Sequence, residues 1–224
     1  MNAAAARLGR SSLWMVLSRG AAQALSVAFT VVLARRLGSA GFGEYAFIAA
    51  LVYVANSLTT FGTDMLLIRE IAGRDDLARL PAALVVQLAL SVALILAVWT
   101  LGARLPNQSP PAVLALRVYV LALLPMAFFS VFSTALRGRQ RLGAYAALNL
   151  LTAALQAAVV LAPRLDLVTL AAFFLAVQSL AAVAAGALCA AFVPRPGRPG
   201  PPRLRDVWEL ARACAPLAAL TVLG

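Results

Sequence analysis

Three sets of polar side chains recur at helical spacing inside long apolar runs. Arg19, Gln23, Ser26 and Thr30 follow one another at intervals of four, three and four, which places them on one face of a helix. Tyr53, Asn56, Thr60, Thr63 and Asp64 share a face of a second segment, and Tyr145, Asn149, Thr152 and Gln156 share one of a third. Two shorter sets, Gln87 with Ser91 and Gln178 with Ser179, sit in other runs. The chemistry open to these groups is hydrogen bonding and, at Arg19, a permanent positive charge. Polar groups in a membrane helix turn toward the bundle interior or a water-filled cavity. They are therefore either glue, interhelical hydrogen bonds averaging about 0.6 kcal/mol each, or the wall of a polar cavity. The Gln87 and Gln178 sets read as glue. Three long stripes exceed what glue requires, so the first two read as cavity wall.

The charged residues divide in the same way. Arg19 lies about two turns into its run and either snorkels to the headgroups or presents a cation to a cavity. Arginine suits the second task because its planar fork matches phosphate oxygens and stays protonated. Asp64 and Arg69 are five residues apart, which permits a pair without forcing one. Arg117, near the end of an apolar run, reads as a snorkelling residue. The loop "RGRQR", with Arg137, Arg139 and Arg141, reads as a topology signal that can also attract anionic headgroups.

Other chemistries are excluded by what the chain lacks. It has no histidine, so a His-based metal site or His-containing triad cannot be built within it. Its two cysteines, Cys189 and Cys214, lie in or beside apolar runs and read as small buried hydrophobes. No Gly-rich loop of the ATPase kind occurs, and no hydrolytic constellation of side chains is present. No cofactor is expected.

The elements that position these residues follow from composition. Of 224 residues 63% are hydrophobic and 12% charged, with a mean hydropathy of +0.91. A soluble domain averages roughly 45–50% apolar residues, so the solvent here is the bilayer. Six runs are long enough to span it as helices: Leu13–Ala34, Tyr45–Leu67, Leu80–Leu101, Val113–Leu136, Ala144–Ala162 and Leu167–Phe192. A seventh starts near Ala211 and is cut at Gly224. The N-terminal "MNAAAARLGRSS" precedes a span-length run with no clear cleavage site, so it reads as part of a retained helix.

The charge of +11 comes from arginine alone. Thirteen arginines fall in the N-terminal tail and the even-numbered exits, against four in the opposite gaps. That bias puts the N-terminus in the cytoplasm and argues against nucleic acid, since the basic residues form no separate face. Arg35 and Arg36 then lie outside, against the rule. The segment "VPRPGRPGPPRLRD" is a linker whose Pro/Gly content prevents a helix. After it, Trp208 and Arg212 weakly echo Trp14 and Arg19, as if a second repeat began. The expected organisation is an all-α membrane protein with a six-helix bundle over 1–192, a linker over 193–206 and the start of a second bundle over 207–224. The chain is expected to be a fragment or truncated product of a protein about twice as long.

The stretch "VVLARRLGSAGFGEYAFIAALV" followed by "FGTDMLLIREIAG" resembles the N-terminal signature of Wzx-type polysaccharide flippases of the MOP exporter superfamily. The matching positions are Ala34, Arg35, Leu37, Gly38, Phe42, Gly43, Tyr45 and Phe47, then Gly62, Asp64, Arg69 and Glu70. "STALRGRQRLGAYAALNL" and "ARACAPLAALTVLG" also fit, so the resemblance covers nearly the whole chain.

The resemblance implies a MATE-like fold of two pseudo-symmetric lobes, with this chain as the N-lobe and the beginning of the C-lobe. It implies a multi-pass protein of the bacterial cytoplasmic membrane. The implied activity is flipping of an undecaprenyl-pyrophosphate-linked oligosaccharide for O-antigen, capsule or exopolysaccharide. A polysaccharide polymerase and glycosyltransferases would be further partners. Arg19 would then help neutralise the pyrophosphate, while Gln23, Ser26, Asn56, Thr60, Asp64, Asn149 and Gln156 line the cavity. Arg35 and Arg36 would stand at its outer mouth, and Arg69, Arg137, Arg139 and Arg141 would face cytoplasmic headgroups. The glycines after the first helix allow a tight outer turn with positive φ. The rival readings are a multidrug or cation antiporter of the same superfamily, a membrane-bound polysaccharide polymerase or ligase, and an inactive truncated fragment. A cation site would want carboxylates deep in the spans, and only Asp64 is available. A polymerase would want a large outward loop, and the outward gaps are short.

Overall fold

The computed structural model describes residues 3–60, 62–74, 77–102, 109–159, 165–192, 207–210, 212 and 214. Every regular element among them is a helix: α1 (Ala3–Thr60), α2 (Thr63–Arg74), α3 (Leu80–Leu101), α4 (Pro110–Val120), α5 (Leu123–Gly138), α6 (Leu142–Ala158) and α7 (Leu167–Phe192). Four helical stretches are long and apolar enough to cross a membrane: Gly20–Thr60, Leu80–Leu101, Pro110–Gly138 and Leu167–Phe192. The linker expected over 193–206 and most of the seventh run lie outside the described residues.

The first stretch is two passes, not one. Gly38 sits at φ 68°, ψ 177°, a conformation essentially restricted to glycine, and divides α1. Residues 29 and 45 of a straight helix would be about 24 Å apart. The Phe29 and Tyr45 ring centroids are 6.5 Å apart, so the chain doubles back at Gly38. The tight turn expected of three glycines is made by Gly38 alone; Gly41 and Gly43 lie in helix.

Two expected spans are interrupted. The second was expected to run from Tyr45 to Leu67, but α1 ends at Thr60 and Gly62, at φ 69°, turns the chain into α2. Thr63 and Asp64 thus belong to a new helix. The fourth was expected as one helix over Val113–Leu136 and is two, α4 and α5. The cause is Pro125, which has no N–H for the Leu121 carbonyl and whose ring crowds it. Tighter bonds close the joint instead, with Ala122 N–H donating to the Tyr119 carbonyl at 2.9 Å and Leu124 N–H to Leu121 at 3.2 Å. The fifth run gives the short α6.

The termini of these helices are prepared locally. Ser109 caps α4 by accepting from the Ala112 N–H at 3.3 Å, with two prolines in the first turn. Asp166 caps α7, accepting from the Thr169 N–H at 3.3 Å and from its hydroxyl. The Thr169 hydroxyl bond is the main reason the Asp166 carboxyl is held below its ordinary range.

Three buried clusters hold the bundle. Ile48, Val52, Ile95, Leu116, Val120 and Leu123 join the second half of α1 to α3, α4 and α5. At the end where α1 doubles back, Phe29, Leu33, Val159, Leu170 and Phe174 pack with partly buried Tyr45 and Tyr119. Phe174 stacks between Tyr45 and Tyr119, at centroid distances of 6.2 and 5.3 Å. At the opposite end Leu67, Ile71, Leu77, Ala83 and Leu136 form the third cluster, and Leu210 and Cys214 pack into it. Cys189 and Cys214 are free thiols.

Candidate functional site

The two halves of α1 and helices α2, α5, α6 and α7 line an open cleft of about 660 Å³, in which Gln23 and Ser26 are exposed. Seven of the sequence candidates line it: Gln23 and Ser26 from the first half of α1, Asn56 and Thr60 from the second half, Asp64 from α2, and Asn149 and Gln156 from α6. The packing of α1 against α6 brings these stripes face to face. Tyr145 and Thr152, on the same face of α6, line it as well. Arg19 lies in α1, one turn before Gln23, and its side chain is outside the described residues.

The far end of the cavity is built on a polar network whose geometry follows from donor counting. Asp64 does not pair with Arg69, which is exposed on another face of α2. Its carboxylate accepts from the Ser130 hydroxyl at 2.7 Å and from the Arg137 guanidinium at 3.4 Å. Arg137 also donates to the Thr134 hydroxyl at 3.1 Å and lies over the Tyr145 ring, 5.2 Å from its centroid. Behind this pair, Gln87 of α3 is fully buried and donates to Thr63 at 2.6 Å and to Ser130 at 3.4 Å. Gln87 therefore ties α3 to α2 and α5, the glue role expected of it. Ser91 reinforces the same contact, donating to the Leu123 carbonyl at 3.4 Å. Asp64 and Arg137 are the only charged side chains among the described lining residues, so this wall carries one self-neutralised pair.

Several placements differ from expectation. Arg137 was read with the topology loop and instead enters the cavity wall. Gln178 was read as glue and lines the cavity from α7. On α5, Met126, Phe129, Ser130 and Ser133 line it and were not singled out. A signal was present: Ser130, Ser133 and Arg137 are spaced three and four apart, one helical face. Arg35 and Arg36 are exposed next to the Gly38 reversal and do not line the cavity. Arg139 is half-buried and Arg141 is exposed, its guanidinium 5.7 Å from the Phe192 ring centroid. Arg117 donates to the Trp99 carbonyl at 3.3 Å, in the last turn of α3, where a cation also suits the helix dipole.

A second cavity of about 440 Å³ adjoins the first. Asn56, Met126, Gln156 and Gln178 line both and form the neck between them. Beyond the neck the wall carries Tyr53 and Tyr119.

A family model described as polysaccharide biosynthesis protein matches residues 8–223. A solved MOP superfamily transporter from Pyrococcus furiosus, whose binding pocket is described as reversed in polarity and suggestive of a different function, has the same fold. It superposes with a TM-score of 0.67 at 17% identity, covering 95% of this chain and 52% of its own. This chain thus spans about half the length of that transporter. No curated protein sequence matches the chain.

Proposed function

The chain belongs to the polysaccharide biosynthesis protein family, and from that premise we propose that it moves an undecaprenyl-pyrophosphate-linked oligosaccharide across the bacterial cytoplasmic membrane. The observation that carries the reading is the open polar cleft lined by α1, α2, α5, α6 and α7 in a bundle of largely apolar helices. Holding that many amides and hydroxyls at membrane depth is costly unless water or a polar headgroup occupies the cleft. The hydrocarbon tail would stay in lipid while the headgroup crosses inside.

In this reading residues 1–192 form the first of two lobes, 193–206 link them, and 207–224 open the second. Alternating access by rocking lobes supplies the motion. The N-terminus and the Arg137–Arg141 loop face the cytoplasm, and Arg35 and Arg36 stand at the outer mouth. Arg19 faces the cavity and meets the pyrophosphate, with Gln23, Ser26, Asn56, Thr60, Asn149 and Gln156 bonding to the rest of the headgroup. Asp64 holds Arg137 in place at the inner end. A polymerase and glycosyltransferases would act on the same lipid-linked substrate. The pairing of Asp64 with Arg137 argues against the cation antiporter, because it occupies the one carboxylate such a site would use.

Deleting the reading frame tests this. The expected outcome is loss of surface polysaccharide with lipid-linked oligosaccharide accumulating in the inner leaflet, restored by the wild-type frame but not by Arg19→Ala. Surface polysaccharide unchanged by the deletion would overturn the proposal. Full restoration by Arg19→Ala would remove that arginine from it.

A further inference from the structure

The two cavities differ in chemistry along their length. The first ends in the Asp64–Arg137 pair. The neck and the second cavity carry no charged side chain among the described lining residues. What they carry is three carboxamides, Asn56, Gln156 and Gln178, one thioether, Met126, and two tyrosines. These side chains come from α1, α4, α5, α6 and α7, so five separate stretches of helix converge on one neck.

Each component has a physical counterpart in a neutral sugar ring. A carboxamide offers a donor and an acceptor side by side, which matches two neighbouring hydroxyls or one acetamido group. A tyrosine ring offers a flat apolar face to the C–H face of a pyranose. Tyr53 is 73% exposed with its neighbours Ala49 and Ala50 small, so its ring is open to a ligand. Tyr119 is committed on one side to Phe174, 5.3 Å away, which fixes it as part of the wall. Among the neck amides, none of Asn56, Gln156 and Gln178 makes a side-chain hydrogen bond to another side chain of this neck in the described set. A negatively charged sugar would find no cation here.

We propose that the neck and second cavity form a subsite for an uncharged sugar ring, read by Asn56, Gln156 and Gln178 and stacked on Tyr53. The proposal rests on the lipid-linked oligosaccharide reading above. It adds that the two ends of the headgroup are held by different chemistry: the phosphate end by arginine, the sugar end by amides and an aromatic face. Selection among sugars then lies in the neck.

The test is saturation-transfer NMR on the 224-residue chain in lipid nanodiscs, with empty nanodiscs as the blank. The probes are the N-acetylglucosamine trimer and the galacturonic acid trimer, with binding of inorganic pyrophosphate, which has no carbon-bound protons, followed by its 31P line width. The expected result is transfer to the neutral trimer and much weaker transfer to the acidic one. Tyr53→Ala and Gln156→Leu should each weaken the neutral trimer about tenfold, the equivalent of one or two lost contacts, and leave pyrophosphate unchanged. Tyr53→Phe should retain binding, since the ring and not the hydroxyl does the stacking. Tyr53 is outside the buried clusters, so Tyr53→Ala should melt as the wild type does.

Equal or stronger transfer to the acidic trimer would overturn the subsite. So would binding of the neutral trimer that neither Tyr53→Ala nor Gln156→Leu weakens, or no transfer to either trimer. The deletion phenotype is read separately. A frame required for surface polysaccharide but blind to both trimers would retain the transport reading and lose this one.

Discussion

Gln87 shows how much a single buried amide determines. The Thr63 hydroxyl donates to the Thr60 carbonyl at 2.6 Å, and the Ser130 hydroxyl donates to Asp64. Both hydroxyl protons are committed, so both oxygens can only accept, and Gln87 must present its NH₂ to them. Its Oε1 is then left without a partner among the described residues. An orphaned buried acceptor is a desolvation cost that an apolar side chain of similar volume removes. Gln87→Leu is therefore expected to cost less than about 1 kcal/mol of stability, or to stabilise. Gln87→Glu should cost several times more, because it buries a carboxylate beside Asp64. Thermal unfolding in nanodiscs checks both; a Leu variant less stable than the Glu variant would mean the amide is oriented the other way. The polar stripes on α1 and α6 were legible because the helical period relates residues three and four apart. The Asp64–Arg137 pair was not, because its members are 73 positions apart and meet only when α2 packs on α5.

At the scale of elements, glycines decide where helices turn and how closely they approach. Gly38 and Gly138 do so for different reasons. A Cβ on Gly38 would meet nothing within 4 Å, but its backbone conformation excludes other residues. A Cβ on Gly138 would lie 2.7 Å from both Cβ and Cγ2 of Ile71. Its absence lets α2 sit against the end of α5, which brings Asp64 within reach of Ser130 and Arg137. Gly138→Ala should thus destabilise by about 1–3 kcal/mol through overpacking. Gly38→Ala should cost about 1–3 kcal/mol through backbone strain, with Gly38→Asn no better. Gly43, helical and open, is the control: Gly43→Ala should be neutral or stabilise by up to about 1 kcal/mol. A Gly43→Ala variant as damaged as Gly38→Ala in unfolding measurements would place the reversal elsewhere. The sequence offered three glycines between two apolar runs and no means of ranking them, since all three permit positive φ. The joint at Pro125 was legible in principle, because the lost N–H and the crowded carbonyl are local consequences of one residue. An apolar count over the whole run passed over it.

For the whole molecule, the reversal at Gly38 fixes which ends of the helices lie together. The start of α4 packs with the start of α7, which in turn packs beside the Gly38 turn, so the three share one end of the bundle. The loop between α5 and α6, with Gln140 at φ 56°, lies at the other, beside α2. The orientation proposed above, which rests on the arginine bias, puts the second end in the cytoplasm. That assignment is testable with single cysteines in a background where Cys189 and Cys214 are replaced by alanine. Ser39→Cys, exposed beside the turn, should react with a membrane-impermeant maleimide in intact cells. Gln140→Cys, also exposed, should react only after permeabilisation. If the two exchange behaviour, the orientation is inverted while the fold stands, and the cavity end holding Asp64 and Arg137 would open outward. If both react from the same side, the chain does not double back at Gly38. The two halves of α1 could not then form adjacent walls, and Gln23 and Asn56 could not face one headgroup.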